Sequence, residues 1–122
     1  MAYINQEMKS KIAPAIKAIA KKYGLKTSLA VRDNRTLVLT IHSGSIDFFK
    51  EHNADITANY ISVNHYSIED NFNNEAKDAL IEFRNALNSG NWNNNKIEVD
   101  YFDVGWYVDI KVGKWNKPYL LV

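Results

Sequence analysis

The chain has 122 residues, a length typical of one folded domain, and it contains no cysteine. The missing cysteines exclude disulfides, thiolate zinc sites and cysteine nucleophiles. No apolar run is long enough to span a membrane, and the first residues lack the features of a signal peptide. A cytoplasmic protein without a membrane partner is therefore expected.

The formal net charge of +1 conceals an uneven distribution along the chain. Residues 1–50 carry nine Lys and Arg against three acids, whereas residues 51–110 carry eleven acids against three basic residues. Three further lysines follow in the last twelve residues. Such asymmetry gives the molecule a dipole that steers charged partners, although charges that only solvate different helices produce the same pattern.

Helical spacing predicts a first helix from about Asn5 to Tyr23. Its apolar face consists of Ile4, Met8, Ile12, Ala15, Ile16, Ile19 and Tyr23. Pro14 lies inside this pattern, so it either kinks the helix or separates a loose first turn from the main segment. Gly24 is placed to end the helix in a left-handed conformation.

Alternating apolar and polar residues predict two strands, Thr27–Asp33 and Thr36–His42, with a turn-forming sequence between them. A short helix capped by Ser45 is expected through Phe49. After a loop, a third strand is predicted at Tyr60–Asn64, with its apolar residues facing inward.

The second long helix has an apolar stripe and ends at Gly90. The stripe comprises Phe72, Ala76, Ala79, Leu80, Phe83 and Leu87. A final hairpin is predicted from Ile97–Phe102 and Trp106–Val112, which meet near Gly105. The expected fold is a single α+β domain over residues 1–122. It has one layer of about five mostly antiparallel strands, packed on one face by two main helices, in the order α-β-β-α(short)-β-α-β-β.

Motifs that carry catalysis are missing from the sequence. There is no nucleophile elbow, no glycine-rich phosphate loop and no dinucleotide fingerprint. The histidines are too scattered for the spacing of a helical metal site. A non-enzymatic protein without a cofactor or metal is expected, and a small hydrolase or metal-dependent enzyme around His42, His65 and Asp47 is the remaining enzymatic alternative.

Large aromatic residues in a loop and in the last residues are the candidates for binding a protein partner. Trp and Tyr provide large contact areas at low entropic cost and are enriched at binding hot spots. The candidate set is Trp92, Tyr107, Trp115, Lys117 and Tyr119. Alternatively, Trp115 and Tyr119 fold back and seal the end of the sheet. An unpaired edge of the final hairpin would also allow a homodimer.

Nucleic-acid binding is the second functional hypothesis. Its candidate residues form a basic rim that would attract backbone phosphates. They are Lys17, Lys21, Lys22, Arg32 and Arg35. The acidic middle of the chain and a pI of about 7.9 are unlike a dedicated nucleic-acid-binding domain.

Two strings of the sequence are distinctive: the strand and loop of residues 36–47, and residues 100–107 together with Gly113-Lys-Trp-Asn-Lys-Pro-Tyr119. They resemble small uncharacterised proteins of bacteriophages and other mobile elements, similar to a large polyvalent protein-associated domain. The resemblance runs over most of the chain and brings no catalytic residue with it. It implies an accessory protein that acts in the host cytoplasm by binding a bacterial or defence protein, as an anti-CRISPR inhibitor would.

Overall fold

The computed structural model describes residues 3–54, 58–89 and 105–122. In chain order, the elements of these ranges are α1 Gln6–Tyr23, β1 Leu25–Arg32, β2 Thr36–Gly44, β3 Ile61–Val63, α2 Ile68–Asn71, α3 Asn74–Leu87, β4 Tyr107–Val112 and β5 Leu120–Leu121. Three helices and a five-stranded sheet in this part of the chain confirm the predicted α+β class. The predicted strand Ile97–Phe102 lies outside the described residues.

The sheet is mixed, with the strand order β1-β2-β4-β3. The outer pairs β1–β2 and β3–β4 are antiparallel, whereas the central pair β2–β4 is parallel. Parallel strands need a long crossover, and the connection from β2 to β4 contains β3, α2 and α3. Short β5 also runs parallel to β2, which it joins at Ser43 and Gly44 beyond the residues paired with β4.

One face of the sheet carries the hydrophobic core. Leu37, Leu39 and Ile41 of β2 are fully buried, and so is Ile110 of β4. The predicted apolar stripe of the second long helix is confirmed, since all six of its residues are buried. The stripe begins in Phe72, which lies between α2 and α3. Sheet and helix side chains thus share one apolar cluster on one side of the strands.

Helix α1 agrees closely with its predicted bounds. The side chain of Asn5 accepts a hydrogen bond from the Met8 amide at 2.9 Å, and Gly24 ends the helix with a φ of 68°. The helix runs through Pro14 without interruption, so no separate loose first turn forms. Ala20 is buried in place of the predicted Ala15, which is exposed.

The prediction of a short helix from Ser45 to Phe49 is wrong. The chain instead makes a turn in which the Asp47 carbonyl accepts a hydrogen bond from the Glu51 amide at 3.1 Å. Ile46 and Phe48 are both buried. Residues two apart do not share a face of an α-helix, so burying both of these side chains opposes helix formation. The short helix among the described residues is α2 instead.

The connection from β4 to β5 depends on Gly113. Its φ is 73°, and a Cβ at this position would lie 2.5 Å from the Tyr119 amide nitrogen. Left-handed backbone is unfavourable for residues other than glycine, and here a side chain would also collide with backbone. The tight return of the chain therefore requires glycine.

Replacing Gly113 with alanine should destabilise the protein by about 3 kcal/mol, because strain from positive φ adds to the collision with the backbone. Gly24→Ala is the matched control, since Gly24 has a similar φ of 68° but the nearest atom to an added Cβ is 3.5 Å away. It should lose only about 1 kcal/mol. Urea denaturation measures both values. Equal losses of stability in the two variants would show that the backbone near Tyr119 moves to make room for the added Cβ, which would contradict a requirement for glycine.

Candidate binding surface

A two-residue turn projects from the sheet between β4 and β5. Lys114 and Lys117 exchange backbone hydrogen bonds of 2.8 and 3.1 Å, with Trp115 and Asn116 between them. All four residues are exposed, and Trp115 has 76% of its surface accessible. We refer to residues 114–117 as the basic hairpin.

Tyr119 anchors the chain directly after the basic hairpin. Its hydroxyl donates a hydrogen bond of 2.7 Å to the Ile46 carbonyl, and its ring packs edge-on against Phe48 with centroids 5.5 Å apart. Burial, assisted by the negative charge of Asp47, raises the pKa of Tyr119 to about 12, so the phenol stays protonated and keeps donating. The structure therefore places Tyr119 in the core rather than on a partner-binding surface.

Two further hydrogen bonds hold the basic hairpin, one at the residue that precedes it and one in its turn. The Gly113 amide donates to the Ile41 carbonyl at 2.9 Å, which ties the hairpin to β2. On the other side, the Asn59 amide group donates to the Trp115 carbonyl at 3.3 Å. The backbone that carries the indole is thus fixed before any partner arrives, although the indole itself is open to water.

The other predicted partner-binding residues are dispersed. Lys117 lies in the basic hairpin with Trp115. Tyr107 is 52% exposed on the outer face of the sheet, but it is the first residue of β4. It therefore lies about 17 Å along the strand from Val112, the end of β4 that leads to the basic hairpin. Trp92 lies outside the described residues. The structure joins only two of the described candidates, Trp115 and Lys117.

The predicted partner-binding set omits two residues that lie at this surface, Lys114 and Tyr60. Lys114 gains its importance from the turn, which sets it directly opposite Lys117. Tyr60 is 37% exposed and precedes β3, whose first residue pairs with the last residue of β4. Continuing this antiparallel register brings Tyr60 to the base of the basic hairpin. The symmetric spacing of the two lysines around Trp-Asn is the sequence signal that points to the turn.

The two lysines of the basic hairpin lie outside the ion pairs of the described residues, as do Lys11, Lys21 and Lys50 among the other basic residues. Ion pairs of the described residues join Lys22 to Glu82, Arg32 to Asp109, Arg84 to Glu69 and Lys111 to Asp109. Within the described ranges, no carboxylate lies within 4 Å of Lys114 or Lys117. Like charges on directly opposed residues repel, so this arrangement does not stabilise the hairpin.

His42 lies on the outer face of β2 beside the basic hairpin. Its Nε2 is 2.8 Å from the Ser28 hydroxyl oxygen, while its Nδ1 is buried without a hydrogen-bond partner among the described residues. Burial first, and then the charges of Lys117 and Lys114, lower the pKa of His42. The ring is therefore neutral at physiological pH.

The tautomer of His42 sets the direction of its hydrogen bond with Ser28. A proton on Nδ1 would be a buried donor with no acceptor, which favours the tautomer protonated on Nε2. In that tautomer His42 donates to the Ser28 hydroxyl and does not act as its base.

The proposed cluster of His42, His65 and Asp47 is not assembled in the structure. His65 lies against the Tyr66 ring with centroids 4.1 Å apart, and Asp47 accepts a hydrogen bond from the Lys50 amide at 3.1 Å. No group of three histidine, aspartate or glutamate side chains in residues 3–54, 58–89 and 105–122 could hold a metal ion.

The predicted basic rim is split between two ends of the molecule. Lys17, Lys21 and Lys22 lie in the last two turns of α1, whereas Arg32 ends β1 and Arg35 lies in the turn after it. The eight residues of β1 make seven steps of extended strand, so Lys21 and Lys22 are separated from Arg32 by about 23 Å along this strand. Lys22 and Arg32 are also engaged by carboxylates, as described above. The five residues therefore do not form one continuous surface for phosphates.

No match for this chain was found among protein-family models, curated proteins or solved structures. The resemblance to phage and mobile-element proteins therefore stays a prediction, and the function is inferred from the geometry of the basic hairpin. Among the helices of the described residues, none has the length and apolar character needed to cross a bilayer.

Removing the hydroxyl of Tyr119 should destabilise the protein by about 1 to 2 kcal/mol, because the Ile46 carbonyl loses its partner. Tyr119→Phe keeps the ring contact with Phe48 and isolates this bond. Trp115→Ala should change the free energy of unfolding by less than about 0.5 kcal/mol, since the indole is exposed. Urea denaturation compares them, and a large loss for Trp115→Ala would contradict an exposed indole.

The protein should lose stability as the pH falls below about 6.5. The pKa of His42 and that of His65 are both lowered by folding, so the unfolded chain binds protons more readily in this range. Their contribution is complete above the unfolded value and is lost as the pH falls toward the folded one. Chemical denaturation between pH 7.5 and 5.5, as a range of about two units, measures the slope.

His42→Gln and His65→Gln should each flatten this slope, because glutamine does not titrate. The double variant should be flatter than either single variant. A wild-type stability that is constant over this range would contradict the lowered pKa of both histidines.

Proposed function

We propose that the protein is a non-enzymatic binding module that docks on another protein through the basic hairpin, with Trp115 as its anchor. One observation carries the proposal: Trp115 is three-quarters exposed on a turn that is held by hydrogen bonds from Gly113 to Ile41, from Asn59 to Trp115 and from Tyr119 to Ile46. Tryptophan is the residue type most enriched at binding hot spots.

Rigidity distinguishes Trp115 from an ordinary exposed aromatic residue. Single apolar side chains on a surface are common and need no explanation. Ordering a mobile loop on association consumes part of the interaction free energy, whereas a preformed turn avoids that loss. Hydrogen bonds of Gly113 and Tyr119 tie the turn to the rest of the fold in the unbound protein, so its backbone does not have to be ordered when the indole is buried against a partner.

The expected biological context extends this proposal. A bacterial host or defence protein, met in the cytoplasm, is the partner implied by the resemblance to phage and mobile-element proteins. An inhibitor of the anti-CRISPR kind fits a small module that binds without catalysing a reaction. This context depends on the resemblance, while the docking surface depends on the geometry described above.

Photo-crosslinking tests the docking surface directly. A photoreactive phenylalanine at position 115 should crosslink a defined partner in a bacterial lysate. The same residue at position 66 is the matched control, because Tyr66 is 78% exposed. Position 66 should not crosslink that partner.

Purified partner then allows an affinity measurement. Trp115→Ala should weaken binding by about tenfold or more, as expected for loss of a hot-spot anchor, and Tyr66→Ala should leave it unchanged. Calorimetry measures both dissociation constants. Equal crosslinking at the two positions, or an affinity insensitive to Trp115→Ala, would refute docking through the basic hairpin.

A further inference from the structure

We infer that the partner segment seated on the basic hairpin is an extended acidic peptide segment of a protein, with carboxylates that bind between Lys114 and Lys117. The inference rests on the proposed function and names the chemistry of its partner. Its starting point is the pair of opposed lysines that no carboxylate of the described residues compensates.

The spacing of the two lysines matches an extended acidic segment. Residues that exchange both backbone hydrogen bonds in an antiparallel pair have Cα atoms about 5.5 Å apart. In an extended peptide, side chains two residues apart point the same way and are separated by about 6.5 to 7 Å. Two acids with one residue between them can therefore each meet one lysine of the pair.

Apolar surface beside the lysines favours a peptide with hydrophobic residues as well. Trp115 extends from the same turn, and Leu120 and Leu121 are exposed on β5 directly after the anchor Tyr119. A segment with two acids that have one residue between them, followed by an apolar residue two positions further on, would present all three side chains to the lysines and this apolar surface, because alternate residues of an extended peptide point the same way. The contact would thereby combine charge complementarity with burial of the indole.

A polyphosphate chain fits this surface less well than an acidic peptide. Nucleic acids carry a regular row of charges and need a positive surface that follows the backbone. The cationic area here is short, because Asp109 lies on the same outer face of the sheet and is paired with Arg32 and Lys111.

His42 supplies an internal reporter of the binding site. The charges of Lys114 and Lys117 help to lower its pKa in the unbound protein. Carboxylates bound between the lysines would offset those charges, so the pKa of His42 would rise. A proton would then bind more readily to the complex than to the unbound protein, and the coupling is reciprocal.

The test uses a labelled peptide with Glu at two positions that have one residue between them and Leu two positions further on, and a second peptide in which Gln replaces each Glu. We expect the acidic peptide to bind, to shift the Trp115 indole resonance and to raise the pKa of His42 in an NMR titration. The Gln peptide should do none of these. Lys114→Gln with Lys117→Gln should weaken binding by about fivefold or more, as the loss of two exposed ion pairs predicts.

A control variant separates the site from net charge. Lys11→Gln with Lys77→Gln removes the same charge from positions on α1 and α3 that belong to neither candidate binding set, and it should leave affinity unchanged. A short thymidine oligonucleotide is tested in parallel. Tighter binding of the oligonucleotide than of the acidic peptide, or equal loss in both double variants, would overturn the inference.

Failure of the acidic-peptide inference can be distinguished from failure of the proposed function. If position 115 crosslinks a partner whose affinity does not change in Lys114→Gln/Lys117→Gln, the docking surface stands and the acidic segment is wrong. If the protein dimerises with increasing concentration and the same variant abolishes the dimer, a second copy occupies the hairpin and the inference is overturned.

Discussion

Pairing of β2 along both of its sides is the constraint on which the rest of the structure depends. One side is occupied by β1, and the other is divided between β4 and β5. The inward residues of β2 are fully buried, so the strand cannot shift register without exposing its core face. Because β4 ends before β2 does, the chain leaves the sheet at Gly113 and returns at Leu120. The basic hairpin is the excursion between these two points.

Much of the fold could be predicted because burial on one face leaves a local pattern. Alternation identified β2, β3 and β4, and helical spacing identified α1 and the stripe that begins at Phe72. The parallel pairing of β2 with β4 left no such mark, since it joins segments more than sixty residues apart, such as Leu37 and Val108. The turn after Ser45 was taken for a helix because capping residues and apolar residues occur in both structures.

The candidate site was predictable only in part, for the same physical reason. Trp115 and Lys117 are residue types that suit an exposed contact, and both are exposed in the structure. Tyr119 is an equally suitable residue type, but it is buried and its hydroxyl bonds to Ile46. That partner is 73 positions away in the sequence, so no local pattern indicates the contact. The importance of Lys114 arises from backbone register, and composition carries no information about register.

The division of one sheet edge between β4 and β5 has a consequence for how this surface can diversify. The hydrogen bonds that define the edge involve Gly113, Tyr119 and the strands themselves, whereas the side chains of residues 114–117 contribute nothing to the core. New loop sequences or insertions between those two fixed points would leave strand pairing intact. The strands would therefore keep the fold while the sequence of the hairpin changes the partner that is bound, as variable loops do on an antibody framework.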